Sequence, residues 1–454
     1  VRDLTEGPIA GHLLGMAAFI GISLIFQTMY FIVDLYFVSR LGSAVIAGVS
    51  AAGNVFFLAL AASQLISIGV MATVAQAVGR KDEGEANLFS DQAISMSLLF
   101  GAIMLVLGYA FGGLGVDALT ADAASAEAGR AYLFAFLPQL ALMFPVSAMT
   151  SALRGAGVTM PTMVLQTATI ILNAILAPIL IAGWGTGVAL GAAGAGWASS
   201  IAAFVGTIAL IFMFPRVQSY LRLHVSSPKP KFAAWRRIVF IGLPTSLEFL
   251  MMFVIFIVIY FVIRDFGAEA QAGFGIGGRI MQSIFLPAMA VAFAAAPIAG
   301  QNFGAKRYDR VRETFNVTAL ISCGIMLTLS ILCHLSPGLL ARPFTDDPAV
   351  LAISNDYLQI VSWNFVFSGL VMSAGSLFQG MGDTRPSLFS SATRMITFVV
   401  PVLWMSAQPW FTLQHVWLLS VASVIAQCAI VIWLLLRTFK RKLGAAPAAI
   451  PAAS

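Results

Sequence analysis

Residues Gly42 to Pro161 return in the same order, without net insertion, 225 positions further along the chain. Gly42 maps to Gly267, Ala47 to Ala272, Gly48 to Gly273, Gln76 to Gln301 and Gly79 to Gly304. The run Gly155, Gly157, Thr159, Pro161 becomes Gly380, Gly382, Thr384, Pro386. One offset held through separate loops indicates duplication, so the fold is two similar units in tandem. In a membrane protein such halves usually frame a cleft that opens alternately to either side, which points to a carrier.

The chain is a membrane protein by composition: 59% of its 454 residues are hydrophobic and 10% charged, with a mean hydropathy of +0.93. The expected fold is all-α: twelve transmembrane helices in two pseudo-twofold six-helix lobes around a central cavity. The first-half spans read as 10–38, 44–73, 87–111, 127–152, 159–183 and 188–214. Those of the second half read as 233–263, 268–297, 315–336, 349–378, 384–406 and 412–437. Residues 1–214 form the first lobe, 215–232 a cytoplasmic linker, 233–440 the second lobe and 441–454 a tail. The first apolar stretch is too long for a signal-peptide core and reads as a span.

The net charge of +6 does not imply nucleic acid. With twelve spans, 20 of the 25 Lys and Arg residues fall on one side, the side of both termini. By the positive-inside rule that side is cytoplasmic. Two six-span lobes insert the same way up, so their pseudo-twofold axis follows the membrane normal. Cys323, Cys333 and Cys428 show no framework or metal-ligand spacing. With no Walker loop the chain offers no nucleotide site, and it lacks the constellations of intramembrane enzymes.

The repeated loops are Gln76-Ala77-Val78-Gly79-Arg80-Lys81, returning as Gln301-Asn302-Phe303-Gly304-Ala305-Lys306, and the two Gly-x-Gly-x-Thr turns. Glycine is expected to permit these tight turns, Thr159 and Thr384 to cap the following helices, and Pro161 and Pro386 to occupy their first turns. With Val33-Asp34-Leu35-Tyr36-Phe37-Val38-Ser39-Arg40-Leu41-Gly42, these motifs resemble the MATE family of multidrug and toxic-compound extrusion transporters, its DinF-like branch in particular. The resemblance spans nearly the whole chain. It implies export of lipophilic, often cationic and aromatic compounds against an inward flow of protons or sodium ions, by a monomer in a bacterial inner membrane with no cofactor beyond the ion.

Two acids lie deep in spans, where an ionisable group is a functional candidate by default. Asp34 ends a helical stripe with Ser23, Gln27 and Tyr30, spaced by four, three and four. Burial that penalises the ionised carboxylate suits proton loading and release. The resemblance makes Asp34 the essential coupling residue and Asn173 and Ser199 (or Ser200) its polar companions. Its second acid is replaced by Ala177, which favours protons over sodium. The family's first-span proline is also absent, Phe19 standing in its place. Glu248 follows Gly242-Leu243-Pro244, where proline is expected to start or kink the span. Candidate contacts for drugs or organic cations are Gln27, Tyr30, Met251, Met252 and Asn364, since Met and aromatic groups suit varied flat ligands. Arg279, Arg394 and Asp356 read as packing or interfacial groups and the four histidines as incidental. The rival readings are a sodium-coupled drug antiporter and a lipid-linked saccharide flippase, the latter disfavoured by the scarcity of basic groups inside the first lobe.

Overall fold

A computed structural model describes residues 3–120, 122–185, 187–217, 221 and 230–444, without the side chains of 30–35, 215 and 217. Among the described residues, twelve helical segments are long and apolar enough to cross a membrane. In chain order the first helices are α1 (Ile9–Ser39), α2 (Ser43–Gly79), α3 (Glu83–Leu119), α4 (Ala123–Gly155), α5 (Met160–Ala182) and α6 (Gly191–Val217). Then come α7 (Phe232–Ile263), α8 (Ala268–Gly304), α9 (Tyr308–Leu335) and the short α10 (Pro337–Ala341). The last four are α11 (Pro348–Val361), α12 (Phe365–Gly380), α13 (Arg385–Ser406) and α14 (Leu413–Lys442). Two compact units result, one built on Ala18–Ser246 and the other on Leu4–Ala17 with Leu247–Ser454. The division therefore falls inside α1 and inside α7.

The duplication is visible in the helix ends. α2 and α8 are each 37 residues long and begin 225 positions apart, as do α3 and α9, and α5 and α13. Packing repeats as well: α4 lies against α2, α3 and α6 in the first unit, and α12 lies against α8, α9 and α14 in the second. A Cβ on Gly155 would sit 2.8 Å from the Met71 carbonyl, and one on Gly380 2.4 Å from that of Ala296. Met71 and Ala296 are themselves 225 apart, so both pairs of helices cross where only hydrogen fits.

Glycine supplies the left-handed turn in the second repeated loop, at Gly157 (φ 80) and Gly382 (φ 70), but not in the first. There Lys81 and Lys306 adopt φ 59, while Gly79 and Gly304 end their helices. The conformation is held by the Asp82 N–H to Ala77 O bond (3.0 Å) and the Arg307 N–H to Asn302 O bond (2.9 Å). Neither Thr159 nor Thr384 caps its helix through its side chain, because both already have helical backbone geometry and the Ncap side-chain bond needs an extended one. Pro161 and Pro386 do occupy the first turns.

Pro138 and Pro145 lie inside α4. A proline has no N–H for the carbonyl four residues back, and for Pro138 the orphan is Phe134 O. The Tyr109 hydroxyl donates to it at 3.0 Å. Ser200 Oγ then donates to Ala135 O at 2.6 Å and accepts from the Gln139 N–H at 3.3 Å. In the second unit the matching span runs through Pro348–Gly380 with a tightened turn in its middle. The expected continuous span at 349–378 is α11 and α12 joined by a 3-10 turn, Ser362–Asn364. Ser330 Oγ donates to Ser362 O at 2.9 Å, and His334 Nδ1 bonds Ser362 Oγ at 2.9 Å. His334 stands 225 positions after Tyr109, so it does the same local work. His415 forms a capping box with Thr412 at the start of α14, and Pro244 lies within α7 rather than starting it.

Candidate functional site

In the first unit α5 buries Asn173, Ala177 and Ile181, a line at four-residue spacing whose one polar member is Asn173. Asn173 is 1% and Ser199 2% exposed, and Asn173 Nδ2 donates to Ser199 Oγ at 3.0 Å. The other end of the amide, Asn173 Oδ1, is buried without a hydrogen-bond partner among the described residues. A buried acceptor left open is costly unless something donates to it. Ala177, fully enclosed one turn further on, presents only a methyl group where the family pattern has a second acid. The backbone at Asp34 and Tyr30 belongs to α1; both side chains lie outside the described residues. Gln27 is exposed on the same helix, and Ser23 Oγ is bonded back to Phe19 O at 3.1 Å.

In the second unit Glu248 stands near Ser387 of α13. Its Oε1 is buried and unpartnered among the described residues. Met251 is half-buried and Met252 is 49% exposed. Asn364, in the 3-10 turn, is 3% exposed and its Oδ1 also lacks a partner among the described residues. Arg279 is exposed on α8, and Asp356 accepts from Gln414 Nε2 at 3.2 Å.

Arg394, read from the sequence as a packing or interfacial group, stands in the middle of α13. The residues buried along that helix include Ser390, Phe398 and Val402, and Arg394 completes their four-residue series, so it projects into the unit. A charge at the centre of a bilayer span costs about 2.5–3.5 kcal/mol on insertion scales. Its Nε is buried with no acceptor, and the guanidinium makes no ion pair among the described residues. The sequence could have flagged this: Ser387, Ser390 and Arg394 follow helical spacing on an apolar span.

Outside the spans, Asp383 in the second Gly-x-Gly turn is 5% exposed. It accepts from Lys442 Nζ at 2.8 Å and Arg385 Nε at 3.1 Å, fastening the end of α14. Burial pushes its carboxyl up, but the hydrogen bonds and charges of Lys442 and Arg385 outweigh this and hold it below the ordinary value. At the other end of the first unit, the Ser125 N–H and hydroxyl hold the Asp122 carboxyl low.

The MatE family profile matches residues 20–179 and 244–405. The multidrug export protein MepA of Staphylococcus haemolyticus is 23% identical over 422 residues, covering 92% of this chain and 91% of its own. The Thermotoga maritima protein described as "Probable multidrug resistance protein NorM" is 23% identical over 403 residues, 88% of this chain and 86% of its own. A solved outward-facing structure of a multidrug resistance MATE transporter superposes with a TM-score of 0.89 at 20% identity, covering 98% of this chain and 99% of that one. At that identity the likeness establishes the twelve-span fold.

Proposed function

The chain belongs to the MatE family, and from that premise we propose that it is a proton-coupled multidrug exporter working by alternating access. Its substrates are lipophilic, cationic aromatic compounds. The observation that carries the ion assignment is the enclosed Asn173–Ala177 line: one amide, and among the described residues no second carboxylate beside it. A sodium ion needs several oxygen ligands at once, whereas a proton needs one carboxylate whose ionised form is disfavoured. Asp34 is the coupling acid. Protonated in the outward-open state, it weakens cation binding and releases the drug outside; deprotonated towards the cytoplasm, it resets the carrier. Asn173 and Ser199 are its polar companions, and Glu248 is the acid of the second lobe. Gln27, Tyr30, Met251, Met252 and Asn364 are the candidate ligand contacts.

One proton entering across 100 mV supplies about 2.3 kcal/mol. Each pH unit adds about 1.36 kcal/mol, so a single proton sustains a substrate gradient of roughly tens to hundreds-fold. The biased distribution of basic residues supports a bacterial cytoplasmic membrane with both termini inside. Within the family, the DinF-like branch is the one the chain's overall resemblance favours. The test is fluorescent-cation transport by purified protein in liposomes with proton and sodium gradients imposed separately. Proton-driven uptake alone is expected; uptake driven by sodium alone would overturn the ion assignment.

A further inference from the structure

The contacts that hold the end of α14 leave it with an excess of positive charge. Lys442 Nζ, Arg385 Nε and Arg441 Nη2 stand 2.8, 3.1 and 3.8 Å from the Asp383 carboxylate. One carboxylate thus balances one of three converging charges. Arg437, one turn before Arg441, pairs with no carboxylate among the described residues; its guanidinium lies 5.4 Å from the centroid of the Trp433 ring. The side chains of Arg385 and Arg441 are 61% and 69% exposed, so the uncompensated charge faces outward.

The backbone that carries these groups is fixed. Phe439 and Leu443 are buried, and Arg312 of α9 donates to Gly444 O at 2.6 Å. Deeper in the span the surface turns apolar. Trp433, Arg437 and Arg441 follow one another at four-residue spacing on α14, as Arg385 and Phe389 do on α13. Trp433 and Phe389 are both exposed, and the two helices are joined by the Gln427 Nε2 bond to Ser391 Oγ at 3.2 Å. Each helix therefore presents arginine at the membrane boundary and an aromatic ring one or two turns further in. A guanidinium fork matches the oxygens of a phosphate, and tryptophan suits the level of the headgroups. The first unit lacks the arrangement, since Asp383 and Arg385 fall on Val158 and Met160 of the repeat.

We propose that Arg385, Arg437 and Arg441 bind the phosphate headgroup of an anionic glycerophospholipid whose acyl chains lie along Trp433 and Phe389. The site rests on the membrane fold and not on the export reading. Free phosphate offers the same head but nothing for the two rings. A zwitterionic lipid offers the chains but brings its own cation up to the arginines.

The experiment is titration of purified full-length protein in neutral detergent with phosphatidylglycerol or phosphatidylcholine of the same chains, the bound lipids being counted by native mass spectrometry. Wild type is expected to bind phosphatidylglycerol at least about fivefold more tightly than phosphatidylcholine. Arg437→Gln/Arg441→Gln, which leaves Arg385 and Lys442 on Asp383, should bring that ratio to within about twofold. Arg216→Gln/Arg236→Gln removes the same charge from exposed positions of the first unit and should keep the preference. Trp433→Leu should weaken phosphatidylglycerol about two- to fivefold, and it serves as the second variant should the double substitution fail to fold. No headgroup preference in wild type, or binding unchanged in either Arg437→Gln/Arg441→Gln or Trp433→Leu, would overturn the site. An equal loss in Arg216→Gln/Arg236→Gln would overturn it too, by showing a general effect of surface charge. Displacement of phosphatidylglycerol by equimolar inorganic phosphate would contradict the lipid as occupant.

Discussion

Asn173 on the buried face of α5 donates to Ser199; 225 positions later the same face of α13 carries Phe398. One turn before Asn173 the first unit has Thr169, bonded only back to Leu165 O, and the second has Arg394. The units therefore share helix ends, turns and packing while differing in the polar and charged groups carried by α5 and α13. Duplication preserved what packs, and divergence acted on what is charged, because an internal charge alters chemistry at fixed backbone geometry.

The largest test of that contrast is steric. A Cβ on Gly242 of α7 would fall 1.8 Å from the Leu65 carbonyl of α2, whereas Ala17 of α1 is a buried alanine. Gly242→Ala should destabilise by about 3 kcal/mol and Ala17→Gly by about 1 kcal/mol, read as thermal denaturation in detergent. Equal effects would show that the helix contacts are alike in both units. Next, Asn173→Ala should cost about 2 kcal/mol through loss of its buried bond to Ser199, while Phe398→Leu should leave proton-driven transport intact.

A smaller effect belongs to Asp383, whose counterpart is Val158. Asp383→Asn should cost about 1 kcal/mol at neutral pH, since Arg385 and Lys442 are partly open to solvent. The folded carboxyl lies below its unfolded value, so its contribution is complete above the unfolded pKa and lost as pH falls through the folded one. Melting curves of wild type and variant should therefore converge on acidification below about pH 4. Smallest of all, Thr159→Ala and Thr384→Ala should each shift stability by less than about 0.5 kcal/mol, as neither side chain caps a helix. A loss near 1 kcal/mol at either would show a cap forming in solution.

The repeat, the twelve spans and the proline-led starts of α5 and α13 were legible in the sequence, because hydropathy and turn chemistry act locally. The 3-10 turn at Ser362–Asn364 was not, since no proline or glycine marks it. What sustains it is Ser330 and His334 arriving from α9, a tertiary contact without a local signature. The lysine φ of 59 at Lys81 and Lys306 was hidden by the neighbouring glycines, which suggested the wrong residue for the turn. Within the candidate site, Asn173 and Ser199 could be named from family resemblance and do meet. The proximity of Glu248 to Ser387 and the inward course of Arg394 required the helices to be assembled.

The central claim is that the acid of the first unit drives export and the acid of the second only modulates it. Efflux of a fluorescent organic cation from liposomes under an imposed proton gradient, compared for Asp34→Asn and Glu248→Gln at equal protein incorporation, tests it most directly. The account predicts background transport for Asp34→Asn and a several-fold reduced but clear signal for Glu248→Gln. Full activity in Asp34→Asn together with silence in Glu248→Gln would contradict it and move the coupling site to the second unit.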